Sequence, residues 1–256
     1  MSPGAELGYV EHPTDLPEVF RCSWLRRGEV PRGARATVLP DACADVVVDH
    51  RGAAVLVGPT MTPHRLALDS SVELRGLRLQ PWSIPLLFRT TATDLRDRVL
   101  ALDDLLGSRV ARRVSDDVWQ GRVPAYWRTV DTTPWQMDLV RGLLRAASGG
   151  VEHTGRHLGV SEREARRTTR RLSGLSPREL AHVGRLDRLL PLIDRADHPL
   201  AAVAADVGFT DQAHLTRVLR RLTGATPRAL RDERTDGASW VGERTLAEIG
   251  DLRTRP

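Results

Sequence analysis

The stretch that decides the fold is DVGFTDQAHLTRVLRRLTGATPRAL at residues 206–230, because a second stretch of the chain repeats its plan. The upstream copy is HLGVSEREARRTTRRLSGLSPREL at residues 157–180. Each copy runs through a helix, Gly, an apolar residue, Ser or Thr, an acidic residue and a polar helix, and it ends on a second Gly followed by Ser or Thr, Pro and Arg. A lone Gly-x-Ser turn between helices is common, whereas a repeat of the whole plan indicates one structural unit used twice.

Each copy predicts two helices joined by a tight turn. Gly159 and Gly208 supply the left-handed backbone that a tight interhelical turn needs. Ser161 and Thr210 are predicted to cap the helix that follows, and the acidic residue after each favours the positive end of that helix. This is the anatomy of a helix-turn-helix, whose second helix enters the major groove of DNA. The sequence therefore predicts two such units between about residues 135 and 234.

The second copy resembles the AraC/XylS family of transcription regulators, through GFTDQ at 208–212, HLTR at 214–217 and GATP at 224–227. Together the two copies extend the resemblance over about 100 of the 256 residues. It implies a C-terminal domain of two helix-turn-helix units, joined by a long linker helix and facing one side of a DNA duplex. Residues 38–106 more loosely resemble the sensor domain at the front of a subset of these regulators. The resemblance thus implies a sequence-specific DNA-binding transcription regulator, controlled by a small-molecule effector or by dimerisation through its N-terminal domain.

Candidate DNA-contacting residues lie on the second helix of each unit. Arginines at spacings of three and four fall on one side of the first such helix, and Arg can bind guanine bidentately. In the second, the resemblance places Gln212 and Arg217 at base-reading positions, while Ala213 suits a thymine methyl. For each arginine the alternative is a solvated side chain or one that touches only phosphate. The candidates are Arg163, Arg166, Arg167, Arg170, Gln212, Ala213, Thr216 and Arg217.

Positive charge is concentrated in the same region. All 38 basic residues are Arg, and against 33 acidic residues they give a net charge of +5. Residues 139–234 hold 18 Arg and 11 acidic residues, a net of +7, so the rest of the chain is slightly negative. Positive charge attracts phosphates of any sequence, so it also fits a non-specific architectural DNA-binding protein. Two recognition helices with different polar faces favour the sequence-specific regulator over that alternative.

The N-terminal part predicts a small β domain. Short apolar runs at 19–24, 35–40, 44–49, 53–58, 64–68 and 72–79 are separated by short joints, several of which carry Gly or Pro. This pattern is typical of an antiparallel β barrel or sandwich. Apolar residues at helical spacing over 94–119 then predict one or two amphipathic helices, interrupted near Gly107. Their apolar face is expected either to pack on the β domain or to pair two subunits.

The fold class is therefore predicted to be α+β, with four segments along the chain. Residues 1–120 form the sensor-like or dimerisation domain, 121–134 a linker, 135–234 the all-α DNA-binding domain and 235–256 a tail. Within the third segment, helices are predicted over 135–147 and 178–196. Pro191 lies inside the second of these, where the missing backbone donor predicts a kink or a break.

Enzymatic chemistry is not expected. The histidines at 12, 50 and 64 show no His-x-His pattern with a following Glu, and no Ser or Cys lies in a recognisable nucleophile elbow. Cys22 and Cys43 match no paired-cysteine metal spacing, so we expect both to be reduced and buried, with no metal and no cofactor. Trp24, His64 and Trp82 are weak candidates for the wall of an effector pocket, which aromatic and imidazole groups suit. Core packing is the alternative for each of them.

The expected location is cytoplasmic, with no membrane partner. The chain has no run of about 18 apolar residues, and Met1 to Val10 lacks the basic and apolar parts of an export signal. The expected partners are double-stranded DNA at a promoter or operator, a small-molecule effector, a second copy of the chain and RNA polymerase.

Overall fold

The computed structural model describes residues 8–27, 35–67, 73–128, 134–145, 150–193, 199–235 and 240–241, and it confirms the predicted α+β class. The strands are β1 (Tyr9–His12), β2 (Phe20–Arg26), β3 (Arg35–Val38), β4 (Ala44–Asp49), β5 (Ala54–Val57), β6 (His64–Ala67), β7 (Leu74–Leu79), β8 (Val99–Ala101) and β9 (Trp240–Val241). The helices are α1 (Ile84–Leu87), α2 (Ala92–Leu95), α3 (Leu102–Leu106), α4 (Ser108–Trp119), α5 (Pro134–Arg145), α6 (Gly150–His157), α7 (Glu162–Ser173), α8 (Pro177–Ile193), α9 (Leu200–Asp206), α10 (Gln212–Thr223) and α11 (Pro227–Thr235).

An antiparallel sheet of six strands organises the N-terminal part, in the order β1-β2-β7-β4-β5-β8. All six residues of β4, ADVVVD, are buried, as expected of a central strand covered on both faces. A smaller sheet has the order β6-β3-β9, in which β3 pairs antiparallel with β6 and parallel with β9. Each of the six apolar runs in the sequence overlaps one of the strands β2 to β7, so the prediction of a mainly antiparallel β domain is confirmed.

Strand β8 corrects the helical prediction for residues 94–119. Val99–Ala101 are extended and pair with β5, with Val99 opposite Val57 and Ala101 opposite Val55. The spacing of Val99 and Leu102 fits a helix, but it fits equally a short strand that leads into one. Residues 99–101 form a strand because the free edge of β5 offers backbone hydrogen-bonding partners to them. The predicted interruption at Gly107 is confirmed, because this residue has a φ of +73° between α3 and α4.

The apolar face of α4 packs on the sheet of its own chain. Ala111, Val114 and Val118 are buried in the N-terminal core, where α4 crosses β4 and β7. Intramolecular packing therefore accounts for the helical pattern that had also fitted a subunit contact. The segment predicted as a linker starts in the same core: a 3-10 helix at Ala125–Trp127 buries Trp127 against other aromatic rings of the N-terminal part.

A buried ion-pair network ties together β1, β2, β4 and β7. The Arg78 Nε atom lies 3.2 Å from Asp45 Oδ1, and its Nη1 atom lies 2.9 Å from Glu11 Oε1. Trp24 Nε1 donates a hydrogen bond of 2.8 Å to the same Asp45 oxygen. Burial by itself would lower the pKa of Arg78, but the carboxylates of Asp45 and Asp41 outweigh it and hold that pKa well above its usual value. The guanidinium charge is therefore retained inside the domain.

The helical part packs around α8, the long helix that joins the two repeats. Gly184 lets α5 approach closely, because a methyl group at this position would lie 1.8 Å from the Leu144 carbonyl oxygen. Helix α8 continues through Pro191 to Ile193, so Pro191 itself does not break it. The predicted continuations of α5 to residue 147 and of α8 to residue 196 lie outside the described residues.

Candidate nucleic-acid interface

Both predicted helix-turn-helix units are present, as α6-turn-α7 and α9-turn-α10. Gly159 and Gly208 occupy the turns with φ values of +69° and +83°, the left-handed conformation expected of them. In the first unit the Ser161 hydroxyl accepts a hydrogen bond of 3.2 Å from the Glu164 amide, so this residue caps α7 as predicted. In the second unit Phe209 is buried beneath the turn.

The predicted cap of the second recognition helix is wrong by one residue. The N-cap of α10 is Asp211, whose Oδ1 accepts a hydrogen bond of 2.6 Å from the His214 amide. Thr210 lies one residue earlier, with its hydroxyl 3.4 Å from the His214 ring. Ser161 and Thr210 are both two residues after their turn glycine, but α10 starts one residue later than α7. A carboxylate at the N-cap also interacts with the helix dipole, which favours Asp over the neighbouring Thr.

The repeat continues through the ends of the recognition helices. Gly174 and Gly224 end α7 and α10 in the left-handed conformation. The residue before each glycine has a buried hydroxyl that accepts a hydrogen bond from the amide of the residue after the glycine. Ser173 Oγ accepts this bond from the Leu175 amide at 3.2 Å, and Thr223 Oγ1 accepts it from the Ala225 amide at 3.1 Å. The sequence interpretation missed these hydroxyls, although they occupy matching places in the two copies.

The first recognition helix exposes a row of arginines. Arg163, Arg166, Arg167 and Arg170 of α7 are all exposed and line one groove of about 820 Å³. Arg166 is paired with Glu162, and Arg167 Nη2 lies 2.5 Å from Glu164 Oε2. Exposed pairs of this kind contribute only about 0.2–1 kcal/mol. Phosphates or base edges can therefore replace these carboxylates as partners at little cost.

The second recognition helix presents a different surface. Gln212, Ala213 and Arg217 are exposed on α10, while Thr216 is half-buried and its hydroxyl donates a hydrogen bond of 2.9 Å to the Gln212 carbonyl. Arg217 lines a cleft of about 850 Å³, which we call the central cleft, together with Arg170 of α7. The structure therefore brings one candidate residue of each unit, Arg170 and Arg217, to the walls of one shared opening.

The central cleft also contains residues that the sequence interpretation did not select. The described residues that line it include five arginines and a single carboxylate, Glu179. The sequence interpretation did not select four of the lining residues, namely Arg96, Arg178, His182 and Arg221. Burial, and then the positive charge of Arg185, lowers the pKa of His182 to about 4, so its ring is neutral near pH 7. Burial would raise the pKa of Glu179, but hydrogen bonds from Arg96 and Ser176 lower it to about 2. The cleft thus has a strong positive excess, which suits phosphate.

Two of the three candidates for the wall of an effector pocket, Trp24 and Trp82, occupy structural positions. Trp24 and Trp82 are buried and donate hydrogen bonds to Asp45 Oδ1 and to the Glu18 carbonyl, at 2.8 and 2.7 Å. His64 is half-buried on β6. A separate cavity of about 650 Å³ lies between the β-sheet part and helices α5 and α8, and we call it the interdomain cavity. Its apolar lining includes Leu39, Pro40, Pro81, Leu144, Val183, Leu186 and Leu190.

Comparison with known proteins identifies two regions of the chain. A family model described as a helix-turn-helix domain matches residues 155–233. A second, described as a domain of unknown function (DUF6597), matches residues 12–101. No protein of curated function is similar enough in sequence to count as a match.

Several solved structures resemble the chain. An AraC-type transcriptional regulator from Chromobacterium violaceum is 21% identical over 40% of this chain and 92% of that one, with a TM-score of 0.36. The C-terminal domain of AraT, a response regulator from Geobacillus stearothermophilus, is 19% identical over 44% of this chain and 92% of that one, with a TM-score of 0.37. Fatty-acid-bound ToxT from Vibrio cholerae is 12% identical over 92% of this chain and 98% of that one, with a TM-score of 0.40.

The two capped and glycine-terminated units, together with the helix-turn-helix match, define the class of protein as a DNA-binding transcription regulator. Residues 155–233 form a helix-turn-helix domain of the AraC type. Within the described residues, no helix is both long enough and apolar enough to cross a membrane.

Proposed function

We propose that this protein binds a specific operator or promoter sequence with both helix-turn-helix units of one chain. The observation that carries the proposal is the shared central cleft, which is lined by Arg170 of the first recognition helix and Arg217 of the second. Two recognition helices on one face can enter successive major-groove segments, about 34 Å or one helical turn apart. A single chain would then cover an asymmetric site with two half-sites.

Different exposed side chains contact the bases and the phosphates. Arg163, Arg166 and Arg167 face outward near the start and middle of α7, where a recognition helix reaches base edges. In the second unit, Gln212 and Arg217 read bases and Ala213 contacts a thymine methyl. The phosphate contacts fall to groups on the cleft wall or close to it, namely Arg170, Thr216, Arg178 and Arg221.

A non-specific architectural role is the alternative, because the positive charge of the cleft alone would hold any duplex. The two roles are separated by titrating the full chain against a duplex enriched from random DNA and against a scrambled duplex, at several salt concentrations. The regulator should bind the enriched duplex at least about 10³-fold more tightly. Equal affinity for both duplexes at every salt concentration would establish the architectural role instead.

We further propose that the N-terminal part controls DNA binding, either through a small-molecule effector or by pairing two copies of the chain. The interdomain cavity supports the first route, because β-sheet residues and helix α8 of the DNA-binding part both line it. A ligand held there would contact both parts at once and could shift how they associate. Regulation in the cytoplasm and contact with RNA polymerase belong to the same proposal.

A further inference from the structure

The N-terminal part of the chain contacts the end of the first recognition helix. Thr93 Oγ1 on α2 donates a hydrogen bond of 2.8 Å to the carbonyl oxygen of Arg170, and Arg96 Nη1 donates one of 3.3 Å to that of Gly174. The approach is close, because a methyl group on Gly174 would lie 2.6 Å from the Ala92 carbonyl oxygen. The glycine that ends α7 is therefore also a point of contact between the two parts.

A bidentate ion pair strengthens this contact. Arg96 Nη2 lies 2.9 Å from Glu179 Oε1, and Arg96 Nη1 lies 3.2 Å from Glu179 Oε2. The two side chains are only 30% and 17% exposed, so the pair is shielded more than the ordinary surface pairs of α7. Bidentate Arg–carboxylate pairs combine strength with a defined geometry. The ion pair therefore fixes α2 in one position on the DNA-binding part.

This position lies beside the residues proposed to contact DNA. Thr91 and Thr93 line the same groove as the four arginines of α7, and Thr93 and Arg96 line the central cleft with Arg217. A helix with its side chains is about 10–12 Å across, and the major groove is about 12 Å wide. A recognition helix in the groove thus leaves no room for a second element against its flank. Segment 91–98 and a DNA strand would compete for the same space.

We propose that segment 91–98 is an intramolecular latch, which excludes DNA from the first recognition helix until the Arg96–Glu179 pair opens. This inference rests on the proposed function, because it describes how the same DNA-binding surface is regulated. Since latch and DNA occupy one surface, each reduces the affinity of the other by the same factor. Any change that weakens the latch, including a rearrangement at the interdomain cavity, then strengthens DNA binding.

Opening the latch leaves the DNA-binding part formed. Glu179 also accepts hydrogen bonds of 2.8 Å from the amide and the hydroxyl of Ser176, which cap α8. It lies 3.8 Å from Arg221 Nη2, so a second cation remains when Arg96 departs. The start of α8 therefore keeps its cap and the Glu179 carboxylate keeps a partner in the open state.

The test compares DNA binding by full-length variants at Arg96, a residue outside the helix-turn-helix units. Arg96→Ala should bind an enriched duplex about 5- to 10-fold more tightly than wild type, within the usual range of coupling between sites. Arg96→Glu should show a larger gain because it repels Glu179, and Arg96→Lys, which keeps the charge, should stay closer to wild type. Arg98→Ala is the matched control: it removes the same charge two residues away, and Arg98 donates to the Asp94 carbonyl of its own segment.

The enriched duplex should come from selections performed with both wild type and Arg96→Glu. If both proteins select one motif and bind it with equal affinity, or if Arg96→Ala binds it more weakly than Arg98→Ala does, the latch is wrong while the proposed function stands. If neither protein selects a motif, the proposed function is wrong, and the latch, which rests on it, is wrong as well. Thermal melting of each variant verifies that the chain is folded.

Discussion

Arg78 and Arg166 illustrate how the surroundings of a single side chain set its role. Arg166 is 55% exposed and paired with Glu162 on the surface of α7, where it can exchange that carboxylate for DNA. Arg78 is 4% exposed, and Asp45, the most buried of the carboxylates paired with it, is 1% exposed. Two charges removed from water in this way depend on each other, because either one alone would be buried without compensation. Arg78 therefore belongs to the stability of the sheet rather than to recognition.

The buried Arg78–Asp45 pair is expected to contribute strongly to the stability of the protein. Replacing Asp45 by Ala should lower the free energy of unfolding by about 3–5 kcal/mol, because it leaves Arg78 buried with less negative charge and the Trp24 indole without its acceptor. Denaturant unfolding followed by circular dichroism measures the change. Asp104→Ala, at an exposed position of α3, is the control and should stay within about 0.5 kcal/mol of wild type. A loss below about 1 kcal/mol for Asp45→Ala would contradict the role given to this pair.

The two recognition helices begin after caps of different residue types. Helix α7 begins after a Ser cap and α10 after an Asp cap, although the sequences around their turns are closely matched. Spacing from the turn glycine predicted the first cap correctly and missed the second by one residue. Side-chain type favours Asp211 only modestly over Thr210, since both residue types are common N-caps. The choice depends on where the backbone of α10 first becomes helical.

The cap assignment is tested by two neighbouring substitutions. Asp211→Ala should destabilise the protein by about 1 kcal/mol and weaken DNA binding, because α10 loses the acceptor for the His214 amide. Thr210→Ala should cost less than half as much in unfolding free energy. The comparison needs only melting and denaturant curves of the two variants beside wild type. If Thr210→Ala loses more unfolding free energy than Asp211→Ala does, the cap is Thr210, as predicted from the sequence.

Element prediction succeeded where a local pattern determines the structure. The six apolar runs between Gly- and Pro-containing joints became strands, and the glycine-bounded repeat became two helix-turn-helix units. Residues 99–101 were assigned to a helix because their apolar spacing fits either state, and pairing with a strand more than forty residues earlier decided the outcome. Pairing partners are not part of a local pattern, so such edge strands are the elements that sequence periodicity misses.

The contact between the N-terminal part and the DNA-binding part could not be predicted from the sequence. Arg96 and Glu179 are 83 residues apart and each lies in a stretch with many charges, so neither stands out before folding. The same holds for the central cleft, whose arginines come from four separate segments of the chain. Base-reading candidates could be chosen in advance because they sit on helices that the repeat defines. The surfaces that regulate them depend on tertiary packing.

A selection of binding sites from random DNA tests whether both recognition helices read bases in one asymmetric site. Wild type, Arg167→Ala and Arg217→Ala should be compared as full chains. Wild type should enrich two half-sites about 34 Å apart, and each substitution should relax one or two base positions in a different half-site, at a cost of about 1–3 kcal/mol on the wild-type site. If wild type enriches no motif, or if both variants keep the same motif with unchanged information at every position, these helices do not read bases.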